Sequence, residues 1–145
     1  MSRFVGLVAM LAMSGVLMLT PTAFAAERPG FDAAQARQFT LACKSASHDA
    51  SSPAFYLDVN LDTRSYYGEV GGLDEVGDVD GRRILLRRHF LFEGVVGYRE
   101  EEYSRDHGYL YWNKGNHSTP GAICKVEPPR EGFGATAVYR PPASE

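Results

Sequence analysis

Phe55-Tyr56-Leu57-Asp58-Val59-Asn60-Leu61-Asp62 is the stretch that decides the fold class. Apolar side chains at 55, 57, 59 and 61 alternate with Tyr56, Asp58, Asn60 and Asp62. Period two is the pleat of a β-strand with one face buried and the other wet. A helix facing a core would instead space its apolar residues three and four apart. No useful length of chain beyond residue 25 has that spacing.

The same reading extends to both sides. Upstream, Phe39, Leu41 and Cys43 share one face of a strand, with Thr40 and Lys44 on the other. Downstream, Ser65 to Val70 ends at Gly71-Gly72, and two further runs, 73–79 and 82–92, flank Asp80-Gly81. An Asp-Gly pair between two runs predicts a two-residue hairpin with both residues at positive φ. That register sets Asp78 opposite Arg83, Val76 opposite Leu85 and Asp74 opposite Arg87, which is favourable cross-strand chemistry. Glu93-Gly94 turns the chain again. Tyr98 to Ser104 reads as a polar strand with Glu100 and Glu102 on one face. Arg105-Asp106-His107-Gly108 fits a type I turn closed by a left-handed glycine. Tyr109 to Lys114, a polar loop over 115–121, and Ala122 to Val126 complete the series. Roughly seven to eight short strands separated by regular turns predict an all-β domain over residues 38–127, a small antiparallel β-barrel or sandwich.

The flanks carry the address. Arg3, the apolar run Phe4 to Leu19 and the small-residue ending Ala23-Phe24-Ala25 predict a signal peptide over residues 1–25. The run is short and closely followed by Pro21, so no stable membrane insertion is expected after cleavage. The expected location is periplasmic or extracellular. Residues 26–37 are a polar lead-in with one helical turn around Asp32 to Arg37, and 128–145 form a Pro/Gly-rich tail that Phe133 and Tyr139 could pin. The chain has two cysteines, Cys43 and Cys124. In an oxidising compartment an even count reads as one disulfide, closing the domain by joining its first and last strands. Two free thiols or an intermolecular bridge are the alternatives. A formal charge of −3 argues against nucleic-acid binding and favours encounter with a basic protein.

Chemical motifs are sparse. Asp78, Asp80 and Gly81 fit three positions of a calcium loop, but Val76 and Arg87 stand where its first and last acids belong. The glycines at 68, 71, 72, 77 and 81 precede no Gly-Lys-Ser/Thr and no helix, so they mark turns, not a phosphate loop. His48, His89, His107 and His117 have no zinc spacing, and no metal or cofactor is expected. Ser104 near Asp106-His107 resembles fragments of a catalytic triad, but triads are assembled from distant segments. Glu100, Glu101 and Glu102 read as a charged strand face. Asn116-His117-Ser118 matches a glycosylation sequon, which matters only in a eukaryotic secretory pathway. The expectation is a non-catalytic binding or interaction domain of the cell envelope. The alternative is a small enzyme or metal-binding protein using the loop histidines and acids.

Aromatic residues concentrate late in the chain, at Tyr98, Tyr103, Tyr109, Tyr111 and Trp112. With Leu110 and Trp112 inward, Tyr109 and Tyr111 face outward, either to meet a partner or to cap the core with wet hydroxyls. Tyr109-Leu110-Tyr111-Trp112-Asn113-Lys114-Gly115 resembles the aromatic-x-aromatic-Trp-x-Lys-Gly strand of periplasmic and membrane-bound C-type lysozyme inhibitors. The resemblance implies a small exported eight-stranded barrel with a disulfide from an early strand to the last. It also implies that Lys114 reaches into the cleft of a lysozyme together with a loop serine; Tyr109 and Tyr111, outward-facing by strand parity, are the other candidate binding residues. The family's Ser-Gly-x-x-Tyr loop is replaced here by Tyr98-Arg99-Glu100-Glu101-Glu102-Tyr103.

Overall fold

The computed structural model describes residues 30–47 and 54–143. The predicted signal peptide and His48 lie outside the described residues. Eight strands follow one another: β1 (Gln38–Ser45), β2 (Phe55–Asn60), β3 (Ser65–Gly68), β4 (Gly72–Val79), β5 (Arg83–Phe92), β6 (Val95–Ser104), β7 (Tyr109–Tyr111) and β8 (Ala122–Glu127). Each pairs antiparallel with the next and β8 pairs with β1, so the sheet closes into an up-and-down barrel. Closure removes the sheet edges that an open arrangement would expose. Cys43 and Cys124 are direct cross-strand partners across the β1–β8 seam and are joined by a disulfide.

The period-two pattern places Phe39, Leu41, Val59, Tyr66, Ile84, Leu86, Tyr103 and Leu110 inside the barrel. Each aliphatic side chain removed from water there contributes about 1.5–3 kcal/mol before its entropy cost. The turns at 61–64, 80–83 and 105–108 share one end of the barrel, and Phe31 and Ala36 of the lead-in pack against the core. The lead-in makes a single turn in which the Ala36 N–H donates to Asp32 O at 2.9 Å.

The hairpin at Asp80-Gly81 departs from the predicted register. The observed partners are Glu75↔Arg87, Val76↔Leu86 and Val79↔Ile84, with an irregularity between Val76 and Val79. Four residues, 80–83, make the connection, and Gly81 does not have positive φ. The reason lies in Asp80. Its Oδ1 accepts the backbone N–H groups of Arg82 (2.7 Å) and Arg83 (2.9 Å), holding a wider turn, and its Oδ2 pairs with Arg83 Nε at 3.1 Å. These backbone donors hold the Asp80 carboxyl below its usual value. The two-residue turn is instead at Glu93-Gly94, where φ is 48° and 77° and Phe92 faces Val95. The 105–108 turn is as predicted: Gly108 has φ 70° and donates its N–H to Ser104 O at 2.9 Å.

The polar face of β2 is wet only at Tyr56. Asp58 is fully buried beneath the tail, where its carboxylate accepts from Thr40 Oγ1 (2.9 Å), Arg130 Nε (3.0 Å) and the Gly134 N–H (2.9 Å). Asn60 Nδ2 donates to Ala135 O at 2.9 Å. The proline-rich tail is therefore stitched to the outside of β2 by polar groups that the alternation alone assigns to solvent.

β5 and β6 outrun their neighbours. Their pairing to β4 and β7 stops at Arg87 and Glu102, while the two strands stay paired to each other as far as Phe92↔Val95. Asp74 marks the departure point. Its Oδ2 accepts the His89 N–H at 2.9 Å and its Oδ1 meets His89 Nδ1 at 2.7 Å, replacing the ladder that β4 no longer supplies. Residues 89–98 form a two-stranded ribbon beyond the barrel wall, with Phe90, Leu91, Phe92, Val95 and Tyr98 exposed.

Candidate functional site

The ribbon leaves the end of the barrel opposite the 80–83 turn. At that end the interior opens into a cavity of about 450 Å³. Phe55, Leu57, Val70 and Trp112 give it apolar walls, and Arg88, Arg99, Glu69 and Glu101 supply its charged groups, Glu69 being paired with Arg130 at 2.9 Å. Small residues make the space. A side chain at Gly68 would start 3.2 Å from Leu57 Cδ2, and one at Gly71 would start 3.7 Å from Arg88 Nη1. Trp112 lies 6.1 Å from Phe55, ring centre to ring centre, and its indole occupies the position a side chain at Gly121 would need.

Alternation along β5 and β6 sends Ile84, Leu86 and Arg88 inward, with Tyr103, Glu101 and Arg99 opposite them. Glu101 has no solvent exposure. Arg99 Nη2 donates to its Oε1 at 2.9 Å, and Arg88 Nε lies 3.5 Å from the same oxygen. Burying a carboxylate is costly unless countercharge and hydrogen bonds offset it. Here only one oxygen is served. Among the described residues, Glu101 Oε2, Arg88 Nε, the Tyr66 hydroxyl and, on the outward face, Glu102 Oε2 are buried without a hydrogen-bond partner. Burial, then the Asp74 and Glu101 carboxylates, push the Tyr66 phenol well above its ordinary value, so it stays an O–H donor.

Outside the wall lies a second ion cluster. Arg87 donates from Nε to Glu100 at 2.9 Å and from Nη1 to Glu75 at 3.4 Å. Lys114 Nζ meets Glu100 Oε2 at 2.9 Å. Hydrogen bonds from Arg87, then Lys114, hold the Glu100 carboxyl below its usual value. The strand expected to run from Tyr109 to Lys114 stops at Tyr111, because Trp112 turns toward the cavity mouth and the Lys114 N–H bonds back to Glu100 O at 2.9 Å. Lys114 therefore sits just past the strand, half exposed and held by Glu100. Tyr109 and Tyr111 face away from the cavity in an outer aromatic row. His107 stacks on Tyr109, Tyr109 meets Tyr111 edge-on, and Tyr111 packs on His117.

The histidines are dispersed. His89 pairs with Asp74, His117 Nε2 with Glu102 at 2.8 Å, and His107 Nδ1 with Ser104 Oγ at 3.2 Å. No group of three metal-ligating side chains converges among the described residues. Ser104 and His107 do reach each other within their turn, but Asp106 faces Arg82 at 4.0 Å.

The sequence reading missed Arg88, Arg99 and Glu101. The signal was present as parity. Three consecutive glutamates on a strand cannot share a face, so with Glu100 and Glu102 outward the middle one must enter the barrel. Compared with protein-family models, with curated proteins and with solved structures, the chain matches none.

Proposed function

We propose that this chain is an exported, non-catalytic binding protein whose ligand lodges in the mouth of the barrel. One observation carries the reading: an apolar-walled cavity of about 450 Å³ containing a buried carboxylate, Glu101, with one oxygen unpartnered among the described residues. Small-molecule sites combine this size range, mostly apolar lining and a few convergent polar groups. The disulfide supports an oxidising compartment and so supports export. The way Glu101 is held supports the non-catalytic reading: Arg99 and Arg88 both crowd its Oε1, which fixes the side chain in place. The lysozyme-inhibitor reading would require Lys114 to exchange Glu100 for a lysozyme carboxylate, and the cavity needs no such rearrangement.

The neutral probe N-phenyl-1-naphthylamine tests the proposal. Its fluorescence should rise on mixing with the protein and saturate at one site. Gly71→Phe aims a ring at Arg88 from a position without positive φ. It should weaken binding at least about tenfold while leaving the melting temperature near that of the parent chain. Absence of binding sinks the proposal. So does equal binding by Gly71→Phe, which would move the probe to the exposed ribbon.

A further inference from the structure

The polar groups of the cavity narrow the ligand beyond "small and apolar". Two guanidinium groups face the one carboxylate of Glu101, and the other carboxylate of the lining, Glu69, is paired with Arg130, so the Arg88–Arg99–Glu101 cluster carries a surplus positive charge. The surplus is oriented toward the mouth, since Arg99 is half exposed and Arg88 one-third exposed while Glu101 is sealed. Two of the buried unpartnered atoms belong to residues that line the cavity, and they are of two kinds. Arg88 Nε is a donor lacking an acceptor, and Glu101 Oε2 is an acceptor lacking a donor. A head group that completes both must bring an anionic acceptor and, next to it, an N–H donor. A fatty acid brings only the first, and an amine brings only the second along with a charge the arginines repel. The apolar body has two surfaces available. Phe55 and Trp112 form the inner wall, and Phe90, Phe92 and Val95 lie on the same face of the ribbon as Arg88 and Arg99.

We infer that the ligand is an N-acylated amino acid with an apolar side chain, in which the carboxylate meets Arg88 and Arg99 and the amide N–H donates to Glu101 Oε2. Charge-assisted bonds from guanidinium to carboxylate supply most of the selectivity, because they form in a site walled by apolar groups. The inference rests on the cavity being the binding site and adds the chemistry of the head group. A free N-acyl amino acid and the C-terminal residue of a peptide present the same head.

Isothermal calorimetry and quenching of Trp112, the one tryptophan of the chain, read the binding directly. N-acetyl-L-phenylalanine should bind at least about tenfold tighter than N-acetyl-L-phenylalaninamide, which lacks the carboxylate, and than 3-phenylpropionate, which lacks the N–H. Arg99→Met should bring the acid down to the level of the amide. The comparison among the three compounds needs no variant, so it stands even if Arg99→Met folds poorly. Tripeptide Gly-Gly-Phe binding as tightly as the acetylated amino acid, or tighter, supports the inference with peptide C-termini as the source. Weaker binding of the tripeptide supports it with small acylated amino acids as the source. If the acid and the amide bind equally while the neutral probe still binds, the head-group assignment is overturned and the cavity stands. If the neutral probe fails as well, the cavity reading falls with it.

Discussion

Gly108 and Gly81 both follow polar turn residues, yet the molecule uses them differently. Gly108 has φ 70°, and a Cβ there would lie 2.7 Å from the carbonyl oxygen of Cys124, a backbone atom that cannot step aside. Gly81 has no positive φ and nothing within 4 Å of where a Cβ would be. Gly108→Ala should therefore lower stability by about 1–3 kcal/mol in urea unfolding, and Gly81→Ala by less than about 0.5 kcal/mol. Equal effects would show that the Asp80 turn needs its glycine after all. The Asp-Gly pair reads as a tight hairpin because the motif registers only the backbone freedom of glycine. It does not register the Asp80 side chain, which takes two backbone donors for itself and widens the turn. Glu101 has the same lesson. Composition reads three glutamates as a solvated face, and only the strict parity of a strand sends one of them inside.

Strand number and order are legible at the level of elements because alternation and turn residues recur locally along the chain. The relative lengths of neighbouring strands are not, since the point where β4 and β7 stop supporting β5 and β6 depends on contacts between distant segments. The sequence reads as two ordinary strands, 82–92 and 98–104, whereas β6 begins at Val95. In the molecule their far halves form a ribbon whose backbone ladder runs between its own two sides and whose base is tied to β4 through His89 and Asp74. Two-stranded ribbons are marginal in water, and amides outside a closed sheet open at low cost. Amides of the ribbon from His89 to Tyr98 should exchange with deuterium at least about tenfold faster than those of Ile84 to Leu86 and Glu101 to Tyr103, with the His89 N–H slower than its ribbon neighbours because Asp74 accepts it. Uniform protection along both strands would mean that something further covers the ribbon in solution. The ribbon matters for the proposed site, because Phe90, Phe92 and Val95 lie on the same face as the two arginines.

For the whole molecule, closure is the decisive event. Alternating short strands are compatible with a barrel or a sandwich, and the choice turns on whether β8 pairs with β1, a contact between the two ends of the domain. The cysteine pair was the one long-range clue in the sequence, and it lies at that seam. Two devices hold the ends together: the disulfide across β1 and β8, and the tail, whose Arg130 bonds Asp58 on β2 and Glu69 beyond β3. The tail contacts are polar and partly exposed, so each adds little beyond satisfying the buried Asp58. The covalent bond constrains an 81-residue separation in the unfolded chain, which loop-closure entropy puts at about 4–5 kcal/mol as an upper bound. Replacing both cysteines, Cys43→Ala with Cys124→Ala, should lower unfolding free energy by about 2–4 kcal/mol, measured by chemical denaturation against the oxidised parent. The loss should appear in the midpoint together with a larger denaturant slope, because the unfolded chain without the bridge exposes more surface. An unchanged midpoint would mean that strand pairing at the seam and the Asp58 cluster close the barrel without it. Since Cys43 is the cross-strand partner of Phe55, which lines the cavity, a loosened seam should also weaken N-phenyl-1-naphthylamine binding, linking the closure of the barrel to the integrity of its mouth.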